Sequence, residues 1–174
     1  MSTSPATTPY VEPWLRGTHT GTPAAGRAVL HALELSWEDI RKWTEGLTDP
    51  EVHSQPLGLP SVAFHLRHIS RSVDRILTYA EGGQLTPQQL GALKAEQTGD
   101  EALAELLAEV ERSFTAATGR VSRIAGESLE TFRGVGRKQL PTSAGGALIH
   151  VADHTQRHTG QVVTTAKVLK ALRG

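Results

Sequence analysis

The chain has 174 residues, with 18 Lys plus Arg balanced by 18 Asp plus Glu, 8 His and no Cys. This length leaves no room for two full domains, and the lack of cysteine excludes disulfides, thiolate metal sites and a cysteine nucleophile, and favours the cytoplasm. A net charge of zero disfavours binding to nucleic acids or anionic membranes, and no signal peptide or membrane-spanning apolar run is predicted.

The sequence divides into an extended N-terminal arm, residues 1–23, and a helical domain, residues 24–174. The arm contains four prolines among Thr, Ser and Gly, a composition that disfavours regular structure. We expect Val11, Trp14 and Leu15 to anchor the arm to the domain, because they are its larger apolar side chains.

Four long segments with helical periodicity follow the arm, and no segment is predicted to be a strand. The first segment ends at Gly46, where a Thr-Asp-Pro sequence is a further stop signal. The second begins after Pro60 with Ser61 as its N-cap, and it ends at the two glycines of residues 82–83.

A short predicted helix at residues 87–94 leads to the third long helix, in which apolar residues recur in steps of four and three from Leu103 to Ile124. Residues 126–141 are Gly-rich and polar, and we expect a loop there. The last helix begins near Ser143 and continues to about residue 172. Four amphipathic helices favour an all-α four-helix bundle, a fold whose core commonly holds metal sites.

The last helix carries three histidines at successive spacings of four in the segment HVADHTQRHTGQ: His150, His154 and His158. Residues four apart on a helix lie about 5–6 Å apart at Cβ, close enough for two imidazoles to bind one metal ion. Val162 and Gln161 fall on the same side, which indicates an inward face. The alternative is that each histidine is a core residue hydrogen-bonded to a carbonyl or hydroxyl group.

The second helix carries His65 and His68 in FHLRHIS, both on one flank of its apolar stripe. By helical angle alone, His65 lies closer to the centre of the stripe. Ser72, Arg75 and Tyr79 continue this flank as a polar seam, which is expected beside a cavity, although Arg75 and Tyr79 could instead reach solvent from a groove edge. The residues that mark the predicted solvent face are Arg67, Ser70, Arg71 and Asp74.

Two histidines from the last helix and one from the second would supply three neutral nitrogen ligands. Such a set leaves coordination positions open, as in catalytic zinc sites. It suits zinc, nickel, copper or iron(II) and does not suit calcium or magnesium. The pattern leaves open whether His65 or His68 is the ligand from the second helix.

The motifs HLRHISRSVDR and HVADHTQRHTGQ, the latter ending in His-x-Gly-Gln, resemble those of the DinB/YfiT-like family, and the resemblance extends from about residue 24 to the end. It implies an up-down-down-up four-helix bundle with a divalent metal ion, zinc or nickel, held by three histidines. By the family motif, the ligands are His68, His154 and His158. His65 and His150 then become residues that line the pocket.

The resemblance also implies a small-molecule substrate, a homodimer, and transfer of a low-molecular-weight thiol, such as bacillithiol or mycothiol, to a small electrophile. The alternatives are a metal-dependent hydrolase and a non-catalytic protein that binds a metal or a metabolite. Arg75 could bind a substrate carboxylate, and Gln161 could orient a ligand or link helices as a buried amide. Asp74 and Asp153 point outward by helical angle, so neither is assigned as a general base. The residues expected to line the pocket are His65, Ser72, Arg75, Tyr79, His150 and Gln161.

Overall fold

The structure is a computed structural model that describes residues 9–173, so residues 1–8 of the predicted arm lie outside the described residues. Within that range the helices are α1 (Ala24–Thr44), α2 (Asp49–His53), α3 (Val62–Ala80), α4 (Pro87–Lys94), α5 (Leu103–Ala125) and α6 (Ala144–Ala171), and the strands are β1 (Phe132–Val135) and β2 (Leu140–Ser143). Single 3-10 turns occur at Pro13–Leu15, Pro56–Gly58 and Ala95–Gln97. None of the described helices is long and apolar enough to cross a lipid bilayer.

The predicted helices occur in the predicted order, and the prediction of a mainly helical protein is confirmed. Their starts follow local capping chemistry. The Ser61 hydroxyl accepts a hydrogen bond of 3.1 Å from the Phe64 N–H at the start of α3, and the Ser143 hydroxyl accepts one of 3.0 Å from the Gly146 N–H at the start of α6. Each bond satisfies a backbone donor that has no partner within the first turn of its helix.

The four long helices bury their apolar stripes against one another. Helix α6 contacts α1 and α3, and α5 contacts the same two helices. Completely buried apolar residues on all four helices form one core cluster, and burial of each such side chain contributes about 1.5–3 kcal/mol. Representative members are Val29, Ile40, Leu66, Ile69, Val110, Ile124, Val151 and Val162.

Residues 132–143 form an antiparallel hairpin, so the prediction that the chain contains no strand is wrong. Phe132 lies opposite Ser143, and Val135 lies opposite Leu140. Contacts with the helical part of the chain hold the hairpin in place, since the Arg133 Nε donates to the Ala80 carbonyl at the end of α3 over 2.7 Å. The strands therefore depend on tertiary contacts, and no alternation of apolar and polar residues in residues 126–141 predicts them.

The Thr-Asp-Pro sequence after α1 both follows the end of α1 and begins α2. The Thr48 N–H donates to the Glu51 side chain over 2.7 Å, and Pro50 occupies the first turn of the short helix. Proline is tolerated at this place because the first N–H groups of a helix have no internal partner. The sequence predicted to end α1 therefore also begins α2.

The described part of the N-terminal arm is held by polar contacts. Val11, Trp14 and Leu15 are exposed, so the expectation that they anchor the arm is wrong. Instead, Arg16 forms an ion pair with Glu38 on α1, over 2.5 Å. Apolar residue type did not predict burial here because no complementary apolar surface covers these side chains.

Candidate metal centre

Three histidines from α3 and α6 converge on one point of the structure. Each of His68, His154 and His158 offers a ring nitrogen, and these nitrogens all lie within 4.8 Å of one another. His68 Nε2 lies 2.9 Å from His154 Nε2. The His158 ring centroid lies 4.3 Å from that of His68 and 4.6 Å from that of His154. The spacing of four on α6 places His154 and His158 on consecutive turns of one face, and the neighbouring helix α3 supplies the third imidazole.

His65 is more deeply buried than His68, as the helical angles indicate, but it does not belong to this group of three. Its residue exposure is only 3%, whereas the His68 side chain is 18% exposed. His65 Nδ1 lies 3.1 Å from His158 Nδ1, and His65 Nε2 is buried without a hydrogen-bond partner. The structure therefore places His65 behind His158 and brings His68 to the cluster.

The imidazoles of His154 and His158 favour the neutral form. Burial, together with the neighbouring histidines, lowers the pKa of His154 and of His158 to about 4. Burial likewise lowers the pKa of His65 to about 4. At neutral pH these rings are uncharged and carry a free lone pair, which is the form of histidine that binds a metal ion.

A buried carboxylate contacts the cluster from the connector between α4 and α5. Glu96 lies in the 3-10 turn Ala95–Gln97 and is only 3% exposed. Its Oε2 lies 2.7 Å from His68 Nδ1, and its Oε1 accepts a hydrogen bond from Arg75 Nη1 over 2.5 Å. Burial alone would raise the pKa of Glu96, but the hydrogen bonds from His68 and Arg75 outweigh it and hold the pKa below its usual range.

No sequence pattern indicates a role for Glu96. A histidine that binds a metal ion commonly donates its other ring N–H to a carboxylate, so an acidic partner for the second-helix ligand could have been expected. No pattern could have identified which acid, because residues 95–97 are not part of a periodic segment.

The connector that carries Glu96 covers the face of α3 that was predicted to be exposed. Arg67 is only 2% exposed and donates from Nε and Nη2 to Glu101, over 2.9 and 2.6 Å. Ser70 is also buried, and its hydroxyl donates to Glu109 on α5. The expectation that Arg67 and Ser70 face solvent is therefore wrong, because the connector and α5 pack over them.

An open cavity of about 820 Å³ lies beside His68 and His154, between α3, the hairpin and α6. Four of the residues expected to line a pocket do line this cavity: Ser72, Arg75, Tyr79 and His150. His65 lies in the core behind His158. Gln161 departs from its expected inward position, since its side chain is exposed on α6. A helical angle cannot show whether a neighbouring element covers that side of the helix.

The polar groups of the cavity are already partly engaged. Arg75 is paired with Glu96, and the Ser72 hydroxyl donates to the Ile69 carbonyl one turn earlier. At the rim, His150 Nδ1 lies 2.7 Å from Asp153 Oδ1, and both side chains are about half exposed. Asp153 thus faces outward as predicted, but it also lines the mouth of the cavity.

The donor set fits a divalent transition-metal ion. Neutral imidazoles suit zinc and nickel, and no carboxylate belongs to the group of three. Two nitrogens bound to one tetrahedral zinc ion lie about 3.3 Å apart, which is close to the 2.9 Å between His68 Nε2 and His154 Nε2. The residue types therefore match the chemistry of the ion, and the His68–His154 pair already has close to the required spacing.

A mainly helical protein with three clustered histidines beside an open cavity belongs, by its fold and site, to the class of candidate metalloproteins. The chain belongs to the DinB superfamily, whose family model matches residues 32–162, so the resemblance predicted from the motifs is confirmed. A conserved protein from Enterococcus faecalis, known from a crystal structure, is similar in fold, with a TM-score of 0.65 and 17% identity over 83% of this chain and 96% of that chain. At this identity the likeness concerns the fold alone. Among curated proteins, none matches this chain significantly.

Proposed function

We propose that this protein is an enzyme that depends on a divalent metal ion, zinc or nickel, held by His68, His154 and His158. The observation that carries this proposal is the convergence of three imidazoles, two of which (His68 and His154) line a cavity large enough for a small organic molecule. Three protein ligands leave further coordination positions for a reactant, as in catalytic rather than structural zinc sites.

The proposed reaction joins a low-molecular-weight thiol to a small electrophile. A carbon–sulfur bond forms, the bond from that carbon to its leaving group breaks, and the thiol proton leaves with the leaving group. When bound, the ion would act as a Lewis acid and lower the pKa of the thiol. Because the chain contains no cysteine, the sulfur must come from a bound small molecule.

The chain's own residues contribute orientation and charge balance. His154 and His158 are uncharged at neutral pH, so they bring no positive charge that would compete with a cation. Glu96 accepts from both His68 and Arg75, so the ion pair is neutral as a whole and leaves the cavity wall without a strong field of its own. The helix and hairpin residues that line the cavity would exclude water from one side of the substrate.

The wider organisation completes the proposal. The four long helices form an up-down-down-up four-helix bundle, an arrangement supported by the contacts of both α5 and α6 with α1 and α3. The setting is the cytoplasm, in keeping with the lack of cysteine. The protein acts as a homodimer on a small-molecule substrate, without a nucleic-acid or membrane partner, and the zero net charge supports the last point.

Hydrolysis is the second candidate reaction, and the pair at the rim favours it. His150 Nδ1 lies 2.7 Å from Asp153 Oδ1, which leaves His150 Nε2 available to receive a proton from water in the same cavity. In this case water takes the place of the thiol as the nucleophile. The third candidate is a protein that binds a metal or a metabolite without turnover.

A reconstitution experiment distinguishes the three candidates. Metal-free protein is loaded with zinc or nickel, and its metal content is measured. It is then assayed with bacillithiol, mycothiol or glutathione and a chlorodinitrobenzene reporter, and separately with an activated ester. His158→Ala serves as the matched control that lacks one ligand. Thiol turnover that requires metal supports the transferase, and ester turnover alone supports the hydrolase. Stoichiometric metal without turnover supports the metal-binding protein, and the absence of metal binding refutes both enzymes and the metal-binding protein.

A further inference from the structure

The connector between α4 and α5 places one acidic residue against the proposed metal centre. We propose that Glu96 is a positioning residue: its hydrogen bond with His68 Nδ1 selects the His68 tautomer and ring orientation that point Nε2 at the ion, and this contact strengthens metal binding. The inference rests on the proposed metal-binding function and names a residue outside the ligand set.

The direction of the hydrogen bond follows from the chemistry of the two groups. An ionised carboxylate can only accept hydrogen bonds, so the contact of 2.7 Å requires the proton to be on His68 Nδ1. In the neutral form, which is the form that binds a metal ion, the ring carries one proton, so a proton on Nδ1 leaves His68 Nε2 with a free lone pair. That nitrogen is the one that lies 2.9 Å from His154 Nε2, inside the cluster.

Glu96 itself is held by contacts on both its side chain and its backbone. Arg75 Nη1 donates to Oε1, which orients the carboxylate so that Oε2 faces His68. Arg67 reaches the connector twice, with Nη1 donating to the Glu96 carbonyl over 3.4 Å and Nη2 to the Glu101 carboxylate over 2.6 Å. The position of the carboxylate is thus fixed before any ion binds.

Stability alone is a weak reason for this arrangement. Burial of an ion pair such as Glu96–Arg75 removes both charges from water, and apolar residues in the same place are often equally stable. The contact with His68 is a functional reason for the buried charge, because substitution of a carboxylate that is hydrogen-bonded to a ligating histidine commonly weakens metal affinity by about 10- to 100-fold.

The test compares Glu96→Gln with Glu105→Gln, which makes the same substitution at an exposed glutamate of α5 whose carboxylate accepts from the Ala102 N–H and takes no part in holding Glu96. The dissociation constant for Zn²⁺ is measured by competition with a chromophoric chelator at pH 7. We expect Glu96→Gln to bind Zn²⁺ about 10- to 100-fold more weakly, and Glu105→Gln to bind it as the wild type does. Equal dissociation constants for the wild type and Glu96→Gln would overturn the inference.

A second measurement reads the tautomer directly. In metal-free protein, the nitrogen-15 chemical shifts of the His68 ring show which nitrogen carries the proton. The proposal expects the Nδ1–H form in the wild type and an increased Nε2–H form in Glu96→Gln. An Nε2–H form in the wild type would overturn it, even if the Gln variant did not fold. If the wild type did not bind Zn²⁺, the proposed function would be refuted. The nitrogen-15 shifts would still show whether Glu96 sets the tautomer of His68.

Discussion

The choice between His65 and His68 as the α3 ligand can be decided by substituting each with alanine. His68→Ala removes a nitrogen that lies within the group of three and 2.9 Å from the nearest nitrogen of His154. His65→Ala removes only the contact of 3.1 Å with His158 Nδ1. We therefore expect metal affinity to fall much further in the first variant than in the second.

The expected difference can be estimated from the number of ligands. Structural zinc sites with four protein ligands bind with about 10–16 kcal/mol, or roughly 3 kcal/mol per ligand. At about 1.4 kcal/mol for each tenfold change, loss of His68 should weaken Zn²⁺ binding roughly 100-fold or more. Loss of His65 removes a partner of a ligand rather than a ligand, an effect of about 10-fold at the lower end for such contacts.

The measurement is a chelator competition at pH 7, with metal stoichiometry determined on the same samples. Urea unfolding of both metal-free variants provides the control that each remains folded, which is needed because His65 is almost completely buried. If His65→Ala weakened binding as much as His68→Ala, or more, the assignment of His68 from the side-chain geometry would be refuted.

Three further predictions follow from the same contacts. Metal-free protein should lose stability as the pH falls from 6.5 to 4. Burial lowers the pKa of His65 from 6.5 to about 4, so the unfolded chain binds a proton at a higher pH than the folded chain, and this one group accounts for about 3 kcal/mol by pH 4. A free energy of unfolding that stays constant down to pH 4.5 would contradict this prediction. Gly26→Ala should destabilise the protein by about 1–3 kcal/mol, because a Cβ there would lie 2.5 Å from a side chain of α5. Gly119→Ala should stabilise it by about 0.5–1 kcal/mol, because a Cβ at that helical position would have no atom within 4 Å. Thermal unfolding midpoints that shift in the same direction for both variants would count against the packing argument. The double variant His154→Ala/His158→Ala should retain no stoichiometric zinc on metal analysis, and full retention would rule out the site.

The long helices could be predicted because their information is local. Apolar periodicity defines their faces, and residues such as Ser61 and Ser143 satisfy the first free N–H groups wherever the helix lies in the fold. The hairpin could not be predicted in the same way. Its strands are four residues each, and they are stabilised by contacts such as the Arg133 hydrogen bond to the end of α3.

At the histidine site, helical angles predict which side chains are buried but do not identify which histidine of α3 is the ligand. They placed the histidines of α3 and α6 on faces that do meet, and they ranked His65 as more buried than His68, which the structure bears out. The ligand position depends instead on where α6 crosses α3, and this crossing brings His154 to the less buried His68. Gln161 shows the complementary case, since a face that is inward by angle is buried only where another element covers it.

The connector between α4 and α5 explains both the buried arginine and the missed carboxylate. The charge of Arg67 predicts a position in solvent, where most charged side chains lie. Arg67 is buried because Glu96 and Glu101 supply an acceptor carbonyl and a carboxylate from a segment about 30 residues further along the chain. The same segment brings the Glu96 carboxylate to His68. A non-periodic connector thus links a structural charge network to the proposed metal centre, and substitution of Glu96 should change metal affinity without altering any ligand.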